Sequence, residues 1–176
     1  GVIFACAPHA NQFVDGLVVM RAVSPRDIGF LVAAKTMRRK YVGAMARALG
    51  GISVERAQDI ARIGKGKIHE LKDNTLTGVG TEFTRDVRPR DTIVIYKSKA
   101  DGSRSNVVVA KLRVTIVNND TKLEVKTFSD MNVEEINASQ HFKVFPHIDQ
   151  SEVFRNVCDK LAKGHAVGIF PEGGSH

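Results

Sequence analysis

Val2-Ile3-Phe4-Ala5-Cys6-Ala7 is an apolar run of strand length, and it opens onto Pro8-His9-Ala10-Asn11-Gln12-Phe13-Val14-Asp15. From Phe13 to Ala22 the chain is rich in Val, Leu and Met over a helical length. This reads as strand, turn, helix, with His9 in the turn and Asp15 in the first helical turn. In that layout Asp15 reaches back to one ring nitrogen of His9, and the other nitrogen points outward to take a proton. A carboxylate that fixes the tautomer and stabilises the imidazolium is the general-base half of a catalytic triad, without the serine. A single His beside an apolar strand is more often structural, so the rest of the chain decides between the two readings.

The pattern repeats outward. Gly29-Phe30-Leu31-Val32-Ala33-Ala34 reads as a second buried strand, and the charged run Lys35 to Lys40 follows it directly. Tyr41, Met45 and Leu49 recur every four residues, which predicts a helix that Gly50-Gly51 ends. Ile52-Ser53-Val54 is a short strand, with Glu55 to Asp59 opening a short helix. Near the far end, Ser151 to Leu161 is helical, with Ser151 as N-cap. Ala166 to Phe170 is a strand, and Pro171-Glu172-Gly173-Gly174 turns out of it. Between these flanks, β-branched runs at 92–96, 106–110, 113–117 and 123–127 alternate with turn signals such as Asp101-Gly102 and Asn118-Asn119-Asp120. The expected architecture is α/β: a mixed sheet with flanking helices, plus an inserted small antiparallel β unit, either a meander or a small barrel. The α/β domain comprises 1–66 and 146–176, and the β-rich insertion 67–145. The insertion is expected to be structural and to take no part in the chemistry.

Composition narrows the function. Of 176 residues, 43% are hydrophobic, ordinary for a globular core. No apolar run approaches a membrane span, and no signal peptide pattern is present. The chain opens at Gly1 and stops inside a motif, so it is expected to be part of a longer protein, with membrane spans outside it left open. Cys6 and Cys158 have neither disulfide-framework nor metal spacing, which suits reduced thiols in an intracellular protein. Cys6 lies close enough to His9 for a Cys–His nucleophile to be considered, but packing within the strand is the commoner role. The net charge of +7 is one-sided: residues 1–72 hold 12 Lys and Arg against 5 Asp and Glu, and the remainder balances. A one-sided basic region fits an anionic partner: phosphate, coenzyme, anionic lipid or nucleic acid. Nucleic acid fits poorly, because no basic stretch is interleaved with aromatics.

Taken together, Pro8-His9 with Asp15, Gly50-Gly51-Ile52-Ser53-Val54-Glu55-Arg56, and Phe170-Pro171-Glu172-Gly173 resemble the first, second and third motifs of the glycerolipid acyltransferase family. The first motif's wording, the long insertion and the ending Gly173-Gly174-Ser175-His176 look most like the fungal-type glycerol-3-phosphate acyltransferases, which also accept dihydroxyacetone phosphate. There are two departures. Five residues separate His9 and Asp15 where the family has four, and the third motif lacks the Arg that usually follows its Gly. The fourth motif would fall beyond His176.

The resemblance implies acyl transfer from acyl-CoA to the sn-1 hydroxyl of glycerol 3-phosphate, the first step of phospholipid and triacylglycerol synthesis. His9 would be the general base and Asp15 its orienting carboxylate. Lys35 and Arg56 would hold the substrate phosphate, and Glu172 a substrate hydroxyl or Arg56 itself. Gly50 would shape the site, and backbone near Gly173 would help stabilise the oxyanion. No cofactor and no metal are implied beyond acyl-CoA as co-substrate. The resemblance further implies an endoplasmic reticulum membrane location through segments outside this chain, and no nucleic acid partner. The competing class is a non-enzymatic basic module on anionic membrane or nucleic acid; the cluster Lys35, Arg38, Arg39 and Lys40 would then face headgroups.

Overall fold

The computed structural model describes residues 1–7, 11, 14–24, 27–128, 136 and 140–172. His9 and Gly173 therefore lie outside the described residues. The chain forms two compact units, one built from 1–56 and 149–176 and the other from 57–148.

The first unit is a parallel sheet with helices, the arrangement expected of α/β. Its four strands run in the order β1 (Val2–Ala5), β11 (Ala166–Ile169), β2 (Ile28–Ala33), β3 (Ile52–Val54). Neighbours pair in register Ala5 with Ile169, Gly168 with Phe30, and Ala33 with Val54, all parallel. Parallel neighbours need crossovers, and the helices α1 (Val14–Val23), α2 (Ala34–Met37) and α3 (Lys40–Ala48) belong to these. The helix α5 (Ser151–Ala162) brings the chain back to β11, which inserts at the sheet centre although it is last in sequence. The central strands are the buried ones, Ile28-Gly29-Phe30 and Ala166-Val167-Gly168. Phe30 crosses Gly168, where a Cβ would collide with its ring, and stacks on Phe170 with centroids 5.8 Å apart. On α1, Val19, Met20 and Val23 pack into this cluster. Val14, Leu17 and Val18 of α1 are exposed, as is Phe154 of α5, which the apolar pattern alone would have turned inward.

The second unit is an antiparallel sheet of seven strands in the order β4 (Arg62–Ile63), β10 (His141–Phe145), β7 (Thr92–Ser98), β8 (Arg104–Asn119), β9 (Lys122–Thr127), β6 (Thr75–Val79), β5 (Lys67–Lys72). It curls towards closure: the Ile68 and Gln140 backbones exchange hydrogen bonds of 2.8 and 3.0 Å, so the β5 edge meets the segment entering β10. The core holds Ile68, Leu76, Ile93, Ile95, Leu112, Leu123 and Phe142, together with Phe83 of the one-turn helix α4 (Phe83–Asp86). Two sequence segments expected as separate strands, 106–110 and 113–117, are one strand of 16 residues. Nothing between them breaks a ladder, and register shifts near Thr115 and Asn118 absorb the bend. The pair β5–β6 turns at Asp73 and Asn74 with φ of 48° and 61°. That is a two-residue hairpin signal the β-branched pattern did not reveal. The unit starts at Ala57 because β4 pairs with β10, whereas the sequence placed the start of the insertion at Lys67.

Among the described residues no helix is long and apolar enough to cross a membrane.

Candidate active site

Every strand of the first unit points the same way, so the carboxyl ends of all four share one edge, where open α/β sheets place their ligand crevices. Asp15 lies in the helix that follows β1, Lys35 follows β2, Arg56 follows β3 and Glu172 follows β11. From the strand order, the Glu172 segment leaves between those of Asp15 and Lys35, with Arg56 outermost. Lys35 and Arg56 each stand two residues beyond the paired Ala33 and Val54.

Asp15 is held by a local hydrogen-bond circuit. The Asn11 N–H donates to Asp15 Oδ2 at 2.8 Å, the Val14 N–H donates to Asn11 Oδ1 at 3.2 Å, and the Asp15 N–H donates to the Asn11 carbonyl at 3.0 Å. This is the reciprocal logic of a capping box, with Asn11 at the start of the helix and a carboxylate one turn in. Asp15 also sits where the positive end of the helix dipole favours negative charge. The bond from Asn11 uses Oδ2 and holds the carboxylate against the start of α1. Asn11 was not singled out from sequence, although an Asn four residues before an Asp at a helix start is a readable signal.

Lys35 is exposed in the single turn of α2, with no ion pair among the described residues. Arg56 is half-buried at the end of β3, just before the 3-10 turn Ala57–Asp59 that stands where a short helix was expected. Glu172 is exposed in the turn after β11. Gly50 has φ +73°. Its N–H donates to the Arg47 carbonyl at 3.0 Å, and the Gly51 N–H to the Ala46 carbonyl at 2.8 Å. These are the two bonds of a Schellman motif, so Gly50 stops α3 and aims β3, and its own carbonyl accepts from Lys160 Nζ at 3.2 Å. Cys6 is half-buried, its N–H still in the ladder to Ile169 at 2.9 Å. Among the described residues no group of three or more His, Cys, Asp or Glu is arranged to hold a metal.

Among the described residues this edge carries two carboxylates, Asp15 and Glu172, and two cations, Lys35 and Arg56, each in the segment that follows a strand. No protein-family model matches the chain, and no solved structure matches it. Over 99% of its length the chain is 37% identical to a Schizosaccharomyces pombe protein named as an uncharacterized acyltransferase. Over the same share it is 32% identical to glycerol-3-phosphate O-acyltransferase 1 and 28% identical to glycerol-3-phosphate O-acyltransferase 2, both of Saccharomyces cerevisiae. The chain spans about a quarter of the length of each: 26%, 23% and 26%.

Proposed function

We propose that this chain, whose homologues over 99% of its length are acyltransferases, carries the acceptor site of a glycerol-3-phosphate acyltransferase. The protein moves an acyl group from acyl-CoA to the sn-1 hydroxyl of glycerol 3-phosphate or dihydroxyacetone phosphate. The observation that supports this reading is the parallel sheet, whose strands end on one edge, with Asp15, Lys35, Arg56 and Glu172 in the segments that follow them.

His9 removes the proton of the substrate hydroxyl as the oxygen attacks the thioester carbonyl. Asp15, fixed by Asn11, sets the tautomer of His9 and stabilises the imidazolium. The tetrahedral intermediate then collapses and expels the thiolate of coenzyme A, which takes the proton from His9. The thioester is already activated, so no acyl-enzyme is required. Arg56 holds the phosphate, with Lys35 as a second cation; a guanidinium offers two parallel donors to two phosphate oxygens. Glu172 takes a substrate hydroxyl, and backbone at Gly173 helps stabilise the oxyanion. Gly50 supports the site by ending α3 where β3 must begin. The β unit is assigned no chemical step, and no cofactor or metal is assigned. We place the full-length protein at the endoplasmic reticulum membrane, held by segments outside this chain.

The test is transfer of labelled acyl groups from acyl-CoA to glycerol 3-phosphate by the full-length protein and its His9→Ala variant. Turnover that survives His9→Ala at near-normal rates would remove the general-base assignment. Salt-sensitive binding to anionic vesicles or nucleic acid without turnover would replace the enzyme with a binding module.

A further inference from the structure

Between α2, α3 and the carboxyl end of β3 lies a pocket of about 430 Å³, lined among others by Arg38, Arg39, Lys40, Arg47 and Glu55. The proposed acceptor site leaves two of its features without a role. The first is an excess of positive charge. From Ala34 to Arg56 the chain carries six cations and one carboxylate. That carboxylate, Glu55, pairs with Arg38, and among the described residues no carboxylate pairs with Arg39, Lys40 or Arg47. Arg47 is drawn inward, its Nη1 donating to the Met37 carbonyl at 2.8 Å. The close approach of α3 to α2 that permits this depends on Gly43, where a Cβ would collide with the same carbonyl. Cations gathered around a concave site repel one another unless an anion joins them.

The second feature is Glu55 itself. Its Oε1 accepts from Arg38 Nη2, but its Oε2 is buried without a hydrogen-bond partner among the described residues. A buried acceptor without a donor is unfavourable, and native structures seldom leave one unsatisfied. A bare phosphate would answer the cations but not this oxygen, which would repel it. A flat anionic membrane surface would not reach a buried oxygen at all. A ligand that satisfies both carries a phosphate and, on the neighbouring carbon, a hydroxyl that can donate.

We propose that this pocket is a second phosphate subsite for a vicinal hydroxy-phosphomonoester. The phosphate lies against Arg39, Lys40 and Arg47, and the hydroxyl donates to Glu55 Oε2. Two compounds of the reaction proposed above have this chemistry, so the choice between them rests on that reading. Coenzyme A has a ribose 3′-phosphate beside a 2′-hydroxyl, and glycerol 3-phosphate has its phosphate beside the C2 hydroxyl.

The experiment is calorimetric titration of the full-length protein with coenzyme A, 3′-dephospho-coenzyme A, glycerol 3-phosphate, inorganic phosphate and vesicles containing anionic lipid. Parallel turnover assays accompany it, and thermal melts confirm that each variant folds. Joint replacement Arg39→Gln and Lys40→Gln should weaken either coenzyme A or glycerol 3-phosphate by about tenfold or more. Glu55→Gln should act with opposite signs: inorganic phosphate binds more tightly, while the preference for the hydroxy-phosphomonoester over inorganic phosphate falls about tenfold. If coenzyme A is the occupant, these substitutions leave dephospho-coenzyme A unaffected; if glycerol 3-phosphate is, both coenzyme forms are unaffected. The subsite is overturned if the double replacement changes no affinity, if Glu55→Gln shifts all probes by the same factor, or if the only loss is on vesicles containing anionic lipid. Absent turnover with these binding signatures intact would reject the acyltransferase reading and leave the subsite standing. Normal turnover without the signatures would do the reverse.

Discussion

The ammonium of Lys160, in α5, donates to the carbonyl of Gly50 at 3.2 Å, across 110 residues of sequence. The bond ties the helix that returns from the β unit to the turn between α3 and β3, so the two separated stretches of the α/β unit meet beside the strand that leads to Arg56. The group is only partly buried, so the bond is worth about 1 kcal/mol. Lys160→Met keeps the aliphatic stem and removes the donor. Backbone amides from Leu49 to Ile52 should then exchange with deuterium about fivefold faster, given that 1.4 kcal/mol is roughly tenfold. Unchanged exchange there would mean that the contact contributes nothing.

Two glycines around α3 separate two kinds of constraint. Gly50 is needed for its backbone conformation, φ +73°, which a residue without Cβ adopts freely, and Gly50→Ala should cost about 1–2 kcal/mol. Gly43 has ordinary helical backbone but no room, because a Cβ would meet the Met37 carbonyl; Gly43→Ala should cost about 1–3 kcal/mol through overpacking. Chemical denaturation would show both losses. Only Gly43→Ala should also disturb the bond between Arg47 and the Met37 carbonyl, and so the arrangement of the cation pocket. Equal effects of the two variants on phosphate affinity would contradict this separation.

The α/β unit was legible because each strand ends at a signal with a physical cause. Gly50-Gly51 stops a helix, the charged run after Ala34 cannot continue a buried strand, and Pro171 follows a run of apolar residues. The β unit was less legible. The hairpin at Asp73-Asn74 joins Lys67–Lys72 to Thr75–Val79, and these strands carry too many Lys, Glu and Thr for an apolar count to find them. Their inward positions, Ile68, Leu71 and Leu76, become visible only once the sheet's faces are known. At the site, residue types at strand ends were readable, and so was Asn11 as a helix-start residue, but that its own N–H donates back to the Asp15 carboxylate shows only in the fold. The pocket behind Arg38 to Arg47 was also hidden: sequence shows a basic run, and only the fold shows that it lines a concavity with one buried carboxylate oxygen.

Asp101 offers a test by pH. Its carboxylate accepts from the Ser103 N–H at 2.8 Å, and hydrogen bonds from Ser103, side chain first and then backbone, hold its pKa below the ordinary 3.8. A carboxylate depressed in the folded state stabilises above its unfolded value, and that contribution is lost as pH falls through the lower folded value. Asp101→Asn should therefore melt slightly below the parent at neutral pH, and the difference should close under strong acid. A difference that is the same at every pH would show that the charge of Asp101 is irrelevant to the turn.

Asn11 is predicted to be a positioning residue. Asn11→Ala removes the bond to the Val14 N–H and frees the turn that orients Asp15. Helix capping alone predicts a stability loss of about 1 kcal/mol. If the cap also aligns the base, kcat should fall about tenfold at unchanged KM. The fall should largely vanish in an Asp15→Asn background, because residues acting as one unit do not add. A melting change without any change in kcat would confine Asn11 to the helix.

Phosphate recognition gives the final prediction. A substrate phosphate carries up to two negative charges and is best met by a rigid partner that is charged at every working pH. Arg56 is half-buried and two residues beyond the register pair Ala33–Val54, so the sheet fixes its backbone. A guanidinium engages two oxygens at once, which an ammonium cannot copy. Arg56→Lys should raise KM for glycerol 3-phosphate by about ten- to hundredfold, the equivalent of about 1.5–3 kcal/mol for a charge-assisted contact, and should change KM for acyl-CoA little. Arg39→Gln with Lys40→Gln should not reproduce this pattern if their pocket takes the coenzyme. Steady-state kinetics with each substrate varied in turn distinguishes the cases. Equal effects of Arg56→Lys on both KM values, or none, would make Arg56 structural and move the acceptor phosphate to the pocket between α2 and α3.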